Sequence, residues 1–339
     1  MSVVDRWLKR ICLVFLLGLL LPVCGFAAEL VKVSVYQSVS DAGIYIAADK
    51  GYFSAQGITI ETVQLDTASS VVTALASGQV DVAGGAPSAA IYNAARQGIG
   101  IKVVADKGSM QDGAGYLGLV VRNAAADQIR SPADLRGRNV ALAGYGVGTT
   151  NEIAMNEMLK GVGLKEDELN LQNLSFGDSF AALASGSVDA AYLIEPLIQS
   201  AEQKGIGRLL ITGDKMYPNQ QVAVLLYGPD FAAKRKDVAQ RFMLAYLKGV
   251  RDYNDAFRKN TERAAIADIL SKNTSVKTPA LYDRMIMPGL DPDGRVNAAG
   301  MASDMRWFLS KGYLKEEVDV SKAIDMSFAD DAVQKLGKY

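Results

Sequence analysis

The stretch ALASGQVDVA at residues 74–83 returns 108 positions later as ALASGSVDAA at residues 182–191, with eight of ten positions identical. In both copies an apolar helical run ends at a glycine, and a short β-rich run follows. Glycine is the usual residue just after a helix end. Because a repeat solenoid needs several short units in a row, two distant copies predict two related lobes.

The elements around each copy come in the same order. Short β-rich runs alternate with amphipathic helical runs, which predicts parallel α/β architecture. From Gly228 onward the pattern is mostly helical, with apolar residues at helical spacing between Val238 and Phe257. Two lobes and a helical tail imply that the chain crosses between the lobes twice. We expect these crossings near residues 118–123 and 220–226. We therefore expect lobe 1 at 29–120 plus 222–339, and lobe 2 at 121–221.

The N-terminal segment 1–28 has the pattern of a signal peptide. Arg6, Lys9 and Arg10 precede an apolar run, and small residues follow at a plausible cleavage site after Ala27 or Ala28. This predicts export to the periplasm. Two alternatives stay open: an uncleaved anchor helix, and a lipoprotein attached through Cys24.

Composition excludes several function classes. The chain of 339 residues contains no histidine, and its formal net charge is −1. Histidine-dependent nucleophilic catalysis and the usual zinc sites are therefore excluded, and there is no basic field to hold nucleic acid. Both cysteines lie in the segment 1–28, so no disulfide is expected after cleavage. We expect no catalytic residue, no cofactor and no metal.

The candidate ligand site follows from the architecture. Ligands of open parallel sheets bind outside the carboxyl ends of the strands, and two such edges facing each other line a shared cleft. Glycine-rich loops that lead into helices suit an anion, because helix N-termini present N–H groups and partial positive charge. The candidate ligand-binding residues are Ser38, Asp41, Ser69, Gly85, Ala86, Ser88, Tyr145, Gly148, Thr149, Thr150, Phe176 and Glu195.

Several of these residues also have a purely structural interpretation. Ser88, Thr149 and Asp178 are equally suited to be helix N-caps. Tyr45, on a helix face, is more typical of core than of a ligand contact. Glu195 either accepts hydrogen bonds from a solute or braces the hinge.

The repeat carries one acidic position in each copy. Because both copies keep the aspartate, we expect Asp81 and Asp189 to bond a neighbouring backbone rather than a ligand.

Four motifs together resemble one family, the bacterial ABC-transporter substrate-binding proteins for sulfonates, nitrate, taurine and thiamine-pyrimidine precursors. They are ADKGYF at 48–53, ASGQVD at 76–81, SPADLRG at 131–137, and VDA at 188–190 with Glu195-Pro196. The resemblance covers nearly all of the chain after Ala28. It implies a type II periplasmic-binding-protein fold, α/β, with two Rossmann-like lobes joined by a two-segment hinge. It also implies a monomer that delivers a small-molecule solute to an inner-membrane permease driven by a cytoplasmic ATPase.

Three functions compete at this point. The first is capture of a small organic anion, a sulfonate or an aliphatic or aromatic carboxylate, for which the resemblance implies a binding role of residues 144–150. The second is capture of a pyrimidine or another neutral or amine-bearing heterocycle by Tyr145, Phe176 and Glu195. The third is an enzyme on the same fold, which the missing histidine disfavours. For the binding functions we expect hinge closure around the solute.

Overall fold

The computed structural model describes residues 28–65 and 67–339 of the chain. The expected signal peptide, apart from Ala28, and both cysteines lie outside these residues. Within the described part, no helix is both long enough and apolar enough to cross a bilayer.

The first part of the chain alternates strands with helices, as expected. It forms β1 (Glu29–Val35), α1 (Ala42–Asp49), α2 (Tyr52–Ala55), β2 (Ile58–Gln64), α3 (Ala68–Ala76), β3 (Val82–Gly85), α4 (Ala89–Arg96) and β4 (Lys102–Ser109).

The middle part repeats this pattern in a second lobe. It forms β5 (Leu117–Arg122), β6 (Asn139–Leu142), α5 (Thr150–Gly161), β7 (Asn170–Gln172), α6 (Phe176–Ser185), β8 (Ala190–Ile194), α7 (Leu197–Gln203), β9 (Gly207–Thr212) and α8 (Gly213–Met216).

The chain then returns to the first lobe and ends in helices. This part comprises β10 (Gln221–Tyr227), α9 (Pro229–Lys234), α10 (Lys236–Lys259), α11 (Arg263–Asn273), α12 (Ala298–Ser310) and α13 (Ser327–Leu336). The apolar face predicted for α10 is confirmed, since Val238, Phe242 and Tyr253 are buried. This face packs mainly against α1 and α13.

The two sheets share one topology. The strand orders are β2-β1-β3-β10-β4 and β7-β6-β8-β5-β9. In each sheet the first three strands are parallel, and the fourth (β10 or β5) runs antiparallel to its neighbours. This is the type II periplasmic-binding-protein fold, and the expected fold class is confirmed.

The aspartates of the repeat perform the same structural task in both lobes. Asp81 Oδ2 accepts a hydrogen bond from the backbone N–H of Lys32 at 2.9 Å, and Asp189 Oδ2 accepts one from that of Asn139 at 3.0 Å. Lys32 lies within β1 and Asn139 begins β6, the strands that pair in parallel with β3 and β8. The structural role expected for both aspartates is confirmed: each fixes the strand that leads to the cleft.

The two crossings between lobes run side by side. One connects β4 to β5 and the other connects α8 to β10. They are hydrogen-bonded to each other, because Met110 N–H donates to Gln220 O at 2.9 Å and Asn219 N–H donates to Met110 O at 2.8 Å. β5 begins at Leu117, ahead of the expected lobe boundary at 121, and most of the expected crossing at 118–123 falls within this strand.

Candidate functional site

The loop that follows β3 in lobe 1 touches the loop that follows β6 in lobe 2. The backbone N–H of Ala89, the first residue of α4, donates to the carbonyl oxygen of Gly148 at 3.1 Å. Gly148 has φ +75°, and a Cβ at this position would lie 2.7 Å from the Cβ of Ala89. Only glycine allows this approach, since it combines positive φ with no side chain. The carboxyl ends of β3 and β6 therefore meet, and the structure brings together two of the loops that carry candidate residues.

The loop after β1 is held by its own buried charges. Asp41 Oδ2 accepts backbone N–H groups from Tyr36 at 3.0 Å and Ser38 at 3.1 Å. Asp41 Oδ1 lies 2.7 Å from Lys107 Nζ, its sole partner among the described residues, and both side chains are buried. Lys107 Nζ also donates to Ser40 Oγ at 3.0 Å. Asp41 thus fixes the shape of this wall of the cleft, and its charge is balanced within lobe 1.

Ser38 and Ser69 also make local contacts. Ser38 Oγ lies 2.8 Å from Ser40 Oγ, within the same buried loop. Ser69 lies in the first turn of α3, where its Oγ is 3.2 Å from Thr67 Oγ1. Thr67 supplies the side-chain cap of that helix, because its Oγ1 accepts the N–H of Ser70.

The β3–α4 loop presents a buried hydroxyl. Gly85 ends β3 and pairs with Val224 of β10, and Ala86 is half-buried. Ser88 occupies the N-cap position of α4 and is 1% exposed. Its side chain makes no cap bond, and its Oγ has no hydrogen-bond partner among the described residues. A buried hydroxyl group without a hydrogen-bond partner destabilises the folded state. Ser88 is therefore the candidate residue whose side chain would gain most from a bound ligand.

The glycine loop of lobe 2, residues 144–149, is braced from within. Thr149 Oγ1 donates to Gly144 O at 3.2 Å instead of capping α5, and Asn151 Nδ2 donates to Ala143 O at 3.0 Å. The backbone of Thr150 is tied to the second crossing, because Gln220 Nε2 donates to its carbonyl oxygen at 2.8 Å. Tyr145 is half-buried in this loop.

Glu152, in the first turn of α5, contacts this loop and is not among the residues predicted from the sequence. Its carboxylate accepts hydrogen bonds from the backbone N–H group of Gly148 at 3.3 Å and from the hydroxyl of Tyr313. Glu152 is 1% exposed, and burial raises its pKa. A glutamate at the third position of a helix after a threonine is a capping-box signal, which could have drawn attention to it.

Glu195 bridges the two lobes. It is fully buried at the end of β8, and its carboxylate accepts the N–H of Gln199 in lobe 2 and that of Ile286 in lobe 1, both at 3.2 Å. Burial raises the pKa of Glu195 to about 7. Between the two roles left open by the sequence, these contacts favour the brace.

Phe176 begins α6 and is half-buried. The helix starts ahead of the expected Asp178, because Ser175 Oγ accepts the N–H of Asp178 at 3.1 Å and so acts as the N-cap. The Asp178 side chain in turn accepts the Ser175 hydroxyl at 2.7 Å. Tyr45 is 5% exposed and packs in the core of lobe 1. Contact with a solute stays a prediction for all twelve candidate residues.

A surface cavity of about 660 Å³ lies outside this cleft, between α11 and the 3₁₀ turn Pro279–Asp283. None of the twelve candidate residues lines it. Within the described part of the chain, no group of three or more His, Cys, Asp or Glu side chains is arranged to hold a metal ion.

Comparison with known proteins places this fold and loop arrangement in a family. A family model described as NMT1/THI5 like matches residues 39–256. The chain belongs to the NMT1/THI5-like family. It is 26% identical over 232 residues to the taurine-binding periplasmic protein of Escherichia coli strain K12, a match that covers 68% of each chain.

Solved structures with the same fold include binding proteins and an enzyme. The alkanesulfonate-binding protein of Xanthomonas axonopodis pv. citri, bound to MOPS, superposes with a TM-score of 0.70 at 20% identity, covering 88% of this chain and 99% of that one. The desulfurization enzyme DSZB superposes with a TM-score of 0.65 at 18% identity, covering 91% and 99%. The motif resemblance noted in the sequence is thus confirmed, and the fold by itself does not separate binding from catalysis.

Proposed function

We propose that this chain is the extracytoplasmic solute-binding component of an ABC importer, exported by a cleaved signal peptide and acting without catalysis. It captures a small organic anion, a sulfonate or carboxylate, between its lobes and delivers it to a membrane permease driven by an ATPase. The observation that carries the proposal is the meeting of the two strand edges, where Ala89 N–H donates to Gly148 O. A site built at this contact forms only when the lobes close.

Closure then follows from differential contacts. A ligand shifts an open–closed equilibrium only when it binds the closed state better. The buried Ser88 hydroxyl at the start of α4 supplies a donor that is available for such a solute. The positive end of the helix favours an anionic group there.

A second candidate, a neutral or amine-bearing heterocycle, is favoured by one specific observation. Two buried carboxyl groups, Glu152 and Glu195, lie where the lobes meet. Carboxylates accept hydrogen bonds from amines and repel anions. The relation to the enzyme DSZB makes catalysis the third candidate, although the histidine chemistry common in hydrolases is excluded by the sequence.

The test is a solute screen on the purified chain that begins at Glu29. Calorimetry with alkanesulfonates, taurine, carboxylates and neutral pyrimidines is expected to give tight binding of at least one anion. Ser88→Ala is expected to weaken that binding at least tenfold, whereas the matched control Ser77→Ala, an exposed serine in the repeat, leaves it unchanged. Tight binders that are all neutral or cationic reject the anion, and a screen without binders rejects the proposal.

Small-angle scattering tests closure. Saturation with the best solute is expected to reduce the radius of gyration of the chain. An unchanged scattering profile at saturation contradicts hinge closure.

A further inference from the structure

The glycine loop of lobe 2 has the backbone geometry of an anion site. Gly144, Gly146 and Gly148 have φ values of +81°, +79° and +75°. Left-handed residues at alternate positions are typical of a concave nest of backbone N–H groups that binds anions. The loop also leads into α5, whose N-terminus carries partial positive charge.

An anionic side chain of the protein itself, the carboxylate of Glu152, already contacts this nest. The N–H group of Gly148 donates to Glu152 Oε2 at 3.3 Å, and the Gly146 backbone lowers the pKa of this carboxyl group. Glu152 is 1% exposed, so it fills the loop rather than projecting into solvent. An anionic group of a solute would have to displace this carboxylate or lie beside it.

The resident carboxylate is also held from the opposite lobe. Tyr313, which follows α12 in lobe 1, donates its hydroxyl to Glu152 Oε1. Its ring packs against Gly148, where an added Cβ would lie 3.1 Å from Tyr313 Cγ. Glu152 is therefore fixed on both sides, by the loop of lobe 2 and by the tail of lobe 1.

The charged residues near Glu152 do not make this part of the lobe interface positive. Lys311 Nζ lies 2.6 Å from a carboxylate oxygen of Glu166, and this pair is internally balanced. Tyr145 adds a neutral phenol, whose pKa is raised by burial and further by these acids. One uncompensated carboxylate remains at the loop.

We propose that Glu152 is a specificity-determining residue that keeps an anionic group of the solute off the glycine loop of lobe 2. This inference rests on the proposed function and narrows the solute class. The solute turns an uncharged or amino-bearing end toward lobe 2, and any anionic group lies against lobe 1, on the side of Ser88 and α4.

Inorganic sulfate is the probe, because it reports on the loop without knowledge of the natural solute. Sodium sulfate is titrated into the chain labelled with ¹⁵N-glycine, at ionic strength held constant with sodium chloride. The amide signals of Gly146 and Gly148 measure occupancy of the loop. Glu152→Ala is expected to bind sulfate at these amides with a Kd at least tenfold lower than that of the unmodified chain.

Two further variants separate charge from folding and from bulk electrostatics. Glu152→Gln keeps the side-chain size and is expected to bind sulfate with intermediate affinity, so it serves where the alanine variant does not fold. Glu166→Ala removes one negative charge from the same lobe interface without touching the loop, and it is expected to behave like the unmodified chain.

The inference is overturned by either of two results. One is sulfate binding at Gly146 and Gly148 in the unmodified chain as tight as in the Glu152 variants. The other is a tenfold gain in Glu166→Ala equal to that in Glu152→Ala. A solute screen without binders rejects the proposed function and leaves the sulfate result readable, so the two failures are distinguishable.

Discussion

The buried ion pair between Lys107 and Asp41 allows a quantitative prediction about the wall of the cleft. Both side chains are at most 1% exposed, and Nζ lies 2.7 Å from Oδ1. Replacing Lys107 with methionine keeps most of the side-chain volume and leaves a buried carboxylate without its counter-charge. Breaking a buried pair on one side costs about 3–5 kcal/mol. Because Asp41 retains two backbone N–H donors, we expect the lower end, about 3 kcal/mol.

The double variant Lys107→Met with Asp41→Asn tests whether the lost stability comes from the uncompensated charge of Asp41. Asparagine removes the charge and keeps an oxygen to accept the N–H groups of Tyr36 and Ser38. The double variant is therefore expected to be about 2 kcal/mol more stable than Lys107→Met alone, since a buried charge costs more than a hydrogen-bonded amide.

Urea unfolding followed by fluorescence measures both free energies. The chain contains two tryptophans, Trp7 and Trp307, and a chain that begins at Glu29 keeps only Trp307, which lies in lobe 1 as the pair does. The matched control is Lys234→Met, which breaks an exposed pair with Asp230 in the same lobe. Exposed pairs contribute about 0–1 kcal/mol. A loss of unfolding free energy in Lys107→Met no larger than that in Lys234→Met contradicts a stabilising buried pair, and so does a double variant as unstable as Lys107→Met.

Three further predictions concern the strand anchor, pH and closure. Asp189→Ala leaves the N–H of Asn139 without its acceptor, so the free energy of unfolding is expected to fall by about 1–3 kcal/mol in urea titrations; an unchanged midpoint contradicts the anchoring role. Asp304 is buried in α12, and burial raises its pKa to about 7, so its protonated form favours the folded state and its contribution to stability is lost as pH rises. Between pH 5 and 8 this amounts to about 2–3 kcal/mol, and Asp304→Asn is expected to flatten the measured curve; an equally steep curve in the variant argues against the assignment. Tyr313→Phe removes one charge-assisted hydrogen bond between lobes, about 1.5–3 kcal/mol, and is expected to enlarge the radius of gyration in scattering without solute; identical profiles would show that this bond does not hold the lobes together.

Much of the local architecture could be predicted because it depends on short-range patterns. The repeated aspartates were assigned to backbone support, and Asp81 and Asp189 do bond the neighbouring strands. The sequence favours Asp178 as the N-cap of α6, whereas Ser175 caps this helix in the structure. Serine and aspartate are both strong N-cap residues, so the pattern alone did not choose between them.

The candidate site was predicted at the level of loops and less well at the level of contacts. The meeting of residues 85–88 with residues 144–149 follows from the parallel-sheet rule, and Ala89 and Gly148 do touch. The bonding of Asp41 by Lys107 was not predicted, because the two lie far apart in the chain. Nothing in the pattern around Lys107 marks it as a buried cation.

The sequence by itself determined that the chain has two related α/β lobes, that their strands end at a shared edge, and that histidine chemistry is excluded. These conclusions depend on periodicity, glycine positions and composition, which can be read from the amino-acid sequence without knowledge of which residues are in contact. Only the tertiary structure decided that Glu152 fills the glycine loop and that Tyr313 holds it there. The two residues are 161 positions apart, and the charge of a loop depends on which distant side chain folding places against it.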